Sequence, residues 1–505
     1  MEQCFPEKKV PKMADFHHPT QALAAENARL KAQAPPPRVP PEEDPAQKKK
    51  AAESAVLSLA PLAPSLAVWP RHHSYSVGLI TLSLLLPLSA CVGLRSVEKI
   101  LHLLTLFFPL PSPIPCWSSP RLWLLRLGYY KLTRSKEIAD DWVWIVDLTI
   151  QAGDMKCLTV VGLRLSWLKP ERKDPTLHHA DVEPITLVPV RQSNGEIVYQ
   201  QLEEAVAKTG VPRQIIADKG SDVKKGIDQF IQHHPQTDYI YDVKHFTANL
   251  LEHEFQSDLM WVEFAKWASQ TRSTWYQTPF FYLEPPNQRT KSRYMNMDIL
   301  VDWGLRALSL LDTLPARVPN ASQREAIQLK LDWIVPFREE LAEWNEILSL
   351  VETTETYVRT QGLRPQGDQA LRPLLRLSPH PTERTIRLRW ALIEYVLDAS
   401  LKAKPGERLL GSSEVLESVF GKFKYRQHEH EKGSLTGMVL AIPAMVAQTT
   451  PEVVRNALET IPVKQVRTWM KEKFGKSAWV KRKEAFSRPV CEEQKSDQFR
   501  RSACG

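Results

Sequence analysis

The stretch WVWIVDLTI at residues 142–150 constrains the fold more than any other part of the chain. Trp142, Val143, Trp144, Ile145 and Val146 follow one another without a polar break. Aromatic and β-branched residues in such a run read as a buried strand. Asp147 then places a carboxylate inside it. An unpaired charge there costs several kcal/mol or is neutralised by protonation, whereas a salt bridge or a bound cation removes the cost.

Around this strand the pattern alternates. WVWIVDLTI and KCLTVVGLRL (156–165) are joined by the Gly-containing QAGDM and predict a hairpin, and EPITLVPV (183–190) predicts a third strand. GEIVYQQLEEAVAKTG (195–210) is an amphipathic helix closed by Gly. RQIIAD (213–218) is a short buried strand, DVKKGIDQFIQHH (222–234) a helix, DYIYDV (238–243) a strand and HFTANLLEHEF (245–255) a helix. Three strands followed by helix, strand, helix, strand and helix predict an antiparallel meander continued by β-α-β crossovers. Residues 256–405 are Trp- and Leu-rich and helical almost throughout, interrupted by the loop EPPNQRTKSRYMNM (284–297). A further helix begins in GSSEVLESVFGKFKYRQHEH (411–430), where Ser412 and Ser413 can cap it and Glu414 sits in its first turn.

The ends differ in character. Residues 1–70 form a Pro-, Ala- and Lys-rich leader whose heptad fragment ALAAENARLKAQ (22–33) is too short to hold a coiled coil alone. Residues 71–138 read as helices. SVEKILHLLTLF (96–107), the break PSPIPCWSSP and the basic aromatic SSPRLWLLRLGYYKL (118–132) are compatible with a helix-turn-helix, and equally with a plain helical hairpin. VGLITLSLLLPLSACVGL (77–94) is uncharged, but its Pro87 and glycines favour a buried helix pair over a membrane span. Six scattered cysteines without a C-x-x-C pair argue against a zinc cluster or a disulfide framework and for a reducing compartment. The net charge of +8 suits a polyanionic partner without requiring one.

Chemistry gathers at the strand ends. Asp218 closes an apolar strand just before Gly220, and ligands of α/β sheets collect at such carboxyl ends. Two carboxylates from neighbouring strands can meet a hard cation such as Mg²⁺, and a helix packed on the sheet can add a third. Glu414 and Glu417 are the candidates, with Phe420 and Phe423 able to pack that helix down while Lys422 and Lys424 face a phosphate backbone. Such a set can hold two metal ions for phosphodiester chemistry. Taken singly, an Asp ending a strand is as well explained as a turn residue. Asp222 is a weaker ligand candidate that could instead cap its helix or pair with Lys225.

Taken together, DWVWIVDLTI, GVPRQIIADKGSDVKKGI, YIYDVKHFTANLLE, PPNQRTKSRYMNMD and SSEVLESVFGKFK resemble blocks of a bacterial insertion-sequence DDE transposase family over roughly residues 90–470. The resemblance implies a ribonuclease-H-like mixed sheet with flanking helices. Its first part would span 139–255, followed by an all-helical insertion (256–405), core completion with the Glu helix (406–470) and a basic tail (471–505). It implies a triad of Asp147, Asp218 and Glu417 holding two Mg²⁺ or Mn²⁺ ions, and DNA cleavage and strand transfer at element ends. The implied partners are double-stranded terminal repeats and target DNA, met by a homodimer or larger assembly in the bacterial cytoplasm at the nucleoid, away from membranes. Related transposases place an Asp or Cys and a His three apart after the fifth strand, matched here by Asp242 and His245. His245 could touch the scissile phosphate or orient a metal ligand, or could simply cap its helix. DNA contacts are expected at Lys219, at Arg121 and Arg126 of the N-terminal helical region, at Arg289, Lys291 and Arg293 of the 284–297 loop, and at Lys422 and Lys424. The tryptophans of the insertion (Trp261, Trp267, Trp275, Trp303, Trp333, Trp344) fit core positions, with base stacking as the alternative. A catalytically inactive, transposase-derived DNA-binding protein is the competing functional expectation.

Overall fold

The computed structural model describes residues 68–487 apart from 108–112, 153–154, 169–175, 276–277, 288–293, 295–296, 429–436 and 476–477. Nearly all of the expected leader, and the chain beyond 487, lie outside the described residues.

The apolar run forms the strand β1 (Trp142–Ala152) at the centre of a five-stranded mixed sheet ordered β3-β2-β1-β4-β5. Its partners are β2 (Met155–Arg164), β3 (Glu183–Val190), β4 (Gln214–Ala217) and β5 (Asp238–Tyr241). β1 pairs antiparallel with β2, and β2 with β3; β1 pairs parallel with β4, and β4 with β5. The meander and the two crossovers expected from the pattern are both present. Between β3 and β4 runs α4 (Gly195–Thr209), and between β4 and β5 runs α5 (Ser221–His233); for reference, α1 (Val77–Ser89), α2 (Leu94–Leu104) and α3 (Ser118–Thr133) precede the sheet.

Alternation along β1 divides the core in two. Trp142, Trp144 and Val146 pack with Val198 and Leu202 of α4 and with Val223, Ile227 and Phe230 of α5. Val143 and Ile145 point the other way, into a larger cluster that contains Ile216, Ile240, Leu124 and Leu127. All five of these β1 side chains are buried. At about 1.5–3 kcal/mol for a buried side chain of this size, the two-sided burial explains why no polar residue interrupts the run until its end.

In the N-terminal helical region the basic aromatic helix is packed inside the fold. α3 is buried along most of its length, against β3 and the C-terminal helices. It approaches so closely that a Cβ at Gly128 would lie 1.9 Å from the Leu440 carbonyl oxygen. Arg126 is buried as well: its Nε donates to the Ile461 carbonyl at 2.6 Å and another arm to that of Leu458. That guanidinium caps a helix end and does not face solvent, so the expected DNA contact at Arg126 is corrected. Residues 77–94 form α1 and the start of α2, with Leu79, Ile80, Leu84 and Leu88 buried. No helix among the described residues is long and apolar enough to cross a membrane.

Lys131, wholly buried on α3, donates to the carbonyls of Ala444 (3.1 Å), Val446 (2.7 Å) and Ala447 (2.9 Å) and to Thr449 Oγ1 (2.7 Å). Burial pushes its amine down to about 7. The three carbonyls match the three N–H groups of the ammonium form, with Thr449 Oγ1 a fourth neighbour. Lys131→Met is expected to lower stability by about 3 kcal/mol, since several buried carbonyls lose their donor at once. A shift in the urea midpoint of the full chain checks this, and a midpoint like wild type would refute it.

Beyond β5 the chain is helical: α6 (Val243–Phe255), α7 (Leu259–Trp275), α8 (Met297–Asp312), α9 (Ala321–Leu331), α10 (Arg338–Gln361) and α11 (Glu383–Ser400). Among the described residues no strand lies between β5 and α12 (Glu414–His428). Trp261, Trp275 and Trp344 are core residues, while Trp267 is 41% exposed at the end of a stack with Trp333 and Trp303. After α12 come α13 (Pro451–Thr460), α14 (Val463–Phe474) and α15 (Ala478–Phe486), so the described start of the expected tail is largely helical.

The edge of the sheet fixes the chain's return from the helices to α12. Gln214 accepts the Leu410 N–H at 3.1 Å and donates to the Leu410 carbonyl. Val243 N–H donates to the Gly411 carbonyl at 2.9 Å. Arg213 clasps Glu407 through two 2.8 Å bonds and also reaches Asp238. These contacts deliver the start of α12 to the carboxyl ends of β1, β4 and β5.

Candidate active site

The last paired residues of the parallel strands are aligned: Val146 opposite Ala217, and Ala217 opposite Tyr241. Asp147, Asp218 and Asp242 are the next residue on each of three adjacent strands. Their parity is that of Ile145, Ile216 and Ile240, which share one cluster with Val415, Leu416, Val419 and Phe420 of α12. Strand alternation therefore directs the acids to the face that α12 covers. A register shift interrupts the β1–β2 ladder between Asp147 and Ile150, directly after the acid. Such irregularities often re-aim side chains near functional sites.

On α12, buried Val415, Leu416, Val419, Phe420 and Phe423 hold the helix down. Glu414 points outward to Arg359 at 3.4 Å, whereas Glu417 is half-buried. Glu417 Oε1 is shut off from solvent and has no hydrogen-bond partner; His245 Nδ1 lies 3.6 Å away. Burial raises the Glu417 carboxyl above its ordinary range, and the charges of Asp242 and Asp147 add to the rise against His245 and Lys244.

Asp242 caps α6. Its Oδ1 accepts from His245 N–H at 2.8 Å and His245 Nδ1 at 2.9 Å, and its Oδ2 accepts from Ser413 N–H at 2.6 Å and Ser413 Oγ at 2.9 Å. Burial opposes ionisation of this carboxyl, but those donors outweigh it and hold it below the ordinary range. His245 shows the mirror effect. Burial disfavours its charge, yet Asp242, Glu417 and Asp218 lift it to about 9. Asp147, Asp218, Asp242, His245 and Glu417 are thus linked in one electrostatic neighbourhood.

Asp218 is half-buried; its Oδ1 accepts from Gly220 N–H at 3.1 Å, and Tyr239 O–H donates to its carbonyl at 3.0 Å. Asp222 is in the first turn of α5 and accepts from Ser193 Oγ. Lys219 is exposed and lies 4.4 Å from the centroid of the Tyr241 ring. Lys424 is exposed, and Lys422 lines a cavity of about 830 Å³ on another side of α12 with His178, His179 and Arg359. Arg121 is half-buried. Arg289, Lys291 and Arg293 lie outside the described residues. Sequence reasoning missed Ser413 as a partner of Asp242. The serine was legible only as a cap for its own helix, because its partner lies 171 residues away.

Carboxylate oxygens at the strand ends and on α12 are the donors that a hard divalent cation takes. Ligand atoms of Asp242, His245 and Glu417 lie within 4.8 Å of one another, close enough for one ion. Within that group the oxygen without a hydrogen bond is Glu417 Oε1, since Asp242 is occupied by four donors. Among the described residues Asp147 and Asp218, two members of the expected triad, lie outside that group and stand at the ends of the neighbouring strands; carboxylate oxygens of this kind fit Mg²⁺ or Mn²⁺.

No family model matches the chain, and no curated protein matches it. Among solved structures, the Drosophila P element transposase strand transfer complex is similar over 80% of this chain and 100% of its own, at 12% identity and a TM-score of 0.39. A likeness that weak carries no functional weight, which rests instead on the residues at the strand ends.

Proposed function

We propose that the chain is a DDE transposase with a ribonuclease-H-like core. It would hydrolyse phosphodiester bonds and transfer strands at insertion-sequence ends, acting on double-stranded DNA as a homodimer or larger assembly. The observation that supports this reading is that Asp147, Asp218 and Asp242 follow aligned positions on three adjacent strands beside α12, where Glu417, within ligand distance of Asp242 and His245, keeps a buried oxygen without a hydrogen bond. A meander extended by two parallel crossovers supports it as well.

Asp147, Asp218 and Glu417 would hold Mg²⁺ or Mn²⁺. When bound, such ions activate water or a 3′-hydroxyl and stabilise the leaving oxygen. The chain's own residues have separable tasks. Asp147 and Asp218 present carboxylates from rigid strand ends, and Glu417 presents one from a helix fixed by apolar packing. His245, charged and held through Nδ1 by Asp242, offers a cation to a phosphate oxygen. Exposed Lys219 and Lys424 provide charge for the flanking backbone.

The test uses purified full-length protein and duplexes made from the DNA on either side of its gene. Nicking at a fixed position with Mg²⁺ or Mn²⁺, and none with EDTA, is expected. Salt-sensitive binding of those duplexes with no cleavage under any metal would refute the enzyme and leave a DNA-binding protein.

A further inference from the structure

We infer that Asp242 is a positioning residue and not a metal ligand: its buried carboxylate staples the start of α12 to the start of α6 and thereby sets Glu417. The inference rests on the reading of Glu417 as a metal-holding residue, and it assigns Asp242 a role apart from the metal.

A carboxylate offers about four lone-pair sites. All four are used here by two N–H groups, one ring N–H and one hydroxyl, at 2.6–2.9 Å. The side chain is 1% exposed, so water cannot replace a donor that leaves. Coordinating an ion would require Asp242 to release a buried backbone N–H or the imidazole, each of which would then need another partner. Glu417 Oε1 has no such prior engagement.

The donors sit where they control the metal side of the site. Glu417 is four residues after Ser413, and its N–H bonds back to the Ser413 carbonyl at 3.3 Å. Movement of Ser413 therefore moves Glu417 with the first turn of α12. His245, one turn into α6, is held by the other oxygen of the same carboxylate. One side chain thus sets the spacing of an acid and a cation that come from helices far apart in sequence. Residues that orient metal-binding groups in this way typically change metal affinity or activity by 10–100-fold when removed.

The experiment compares full-length wild type with Asp242→Asn, Ser413→Ala and Ser413→Thr. Calorimetry with Mn²⁺ alone gives ions bound per chain, cleavage gives the Mn²⁺ concentration at half-maximal rate, and hydrogen exchange follows residues 413–420. Expected are unchanged stoichiometry in every variant, and a half-saturating Mn²⁺ concentration raised about 10-fold in Asp242→Asn and Ser413→Ala. Faster exchange at the start of α12 in those two variants, and recovery of both properties in Ser413→Thr, complete the expected result. Loss of one bound ion in Asp242→Asn with unchanged exchange would overturn the inference, as would wild-type metal dependence in all variants. If wild type neither binds Mn²⁺ nor cleaves DNA, the functional reading fails separately. Exchange at α12 then decides the staple: faster in Asp242→Asn supports it, and unchanged refutes it.

Discussion

Asp147→Asn is expected to reduce metal-dependent DNA cleavage by about 10³-fold, with no loss of folding stability. On the proposed reading, withdrawing one metal-holding carboxylate removes several kcal/mol of transition-state stabilisation, and each 1.36 kcal/mol is a tenfold rate effect. Asn is nearly isosteric, and Asp147 adds to the repulsion that raises the Glu417 carboxyl. Relief of that repulsion makes the apoprotein as stable as wild type or slightly more so. Loss of activity joined to unchanged or higher stability marks a functional acid, whereas a structural acid would lose both. Asp218→Asn and Glu417→Gln should match it. Asp222→Asn, which touches Ser193 in the first turn of α5, should stay near wild type. Nicking rates at saturating Mn²⁺, read beside urea unfolding in EDTA, test the set. Cleavage by Asp147→Asn within tenfold of wild type would remove the acid constellation as the catalytic centre.

How far the sequence disclosed this arrangement depended on whether a feature was local. Trp142–Val146 fill both faces of a strand, and nothing but a central strand buries both parities. Asp147 and Asp218 were legible because each interrupts or ends an apolar run, where an acid needs a reason. Asp242 and His245 were legible as a strand-to-helix pair, but the second oxygen of Asp242 was not, since Ser413 is brought to it only by the fold. α3 was open to two readings. Cations among aromatic residues on a helix suit a DNA-facing surface, and they suit equally a helix that caps the ends of others. Arg126 and Lys131 do the latter, through carbonyls of residues 444–461. Sequence pattern alone cannot separate the two uses because both require a positive group beside an apolar stripe. The tryptophans pose the same ambiguity. Trp261 and Trp344 resolve into core packing with each other and with Phe264, while Trp267 keeps an exposed edge.

Arg213→Met is expected to cost about 3 kcal/mol, because it strands carboxylates that the native fold has already desolvated. The Arg213 side chain is 7% exposed and that of Glu407 16%. Two parallel 2.8 Å bonds join them, the guanidinium also donates to the Lys402 carbonyl at 2.8 Å, and its other arm reaches Asp238. Bidentate, charge-assisted pairs of this kind are stronger than ordinary surface bridges, and removing one partner leaves the other buried and uncompensated. The double variant Arg213→Met/Glu407→Leu should therefore be more stable than Arg213→Met alone, since it removes Glu407, the more buried of the two stranded carboxylates. Urea midpoints for the two singles and the double give the coupling, and strict additivity would show that the pair does not interact in solution. Activity should respond beyond the stability loss. Glu407 lies six residues before Ser413, on the segment that Gln214 and Val243 also grip. Loosening that segment lets the start of α12 drift from the strand ends while the sheet itself stays folded. A protein still folded at low temperature but impaired in cleavage is the expected phenotype, since the acids on β1 and β4 can act only when α12 brings Glu417 to them.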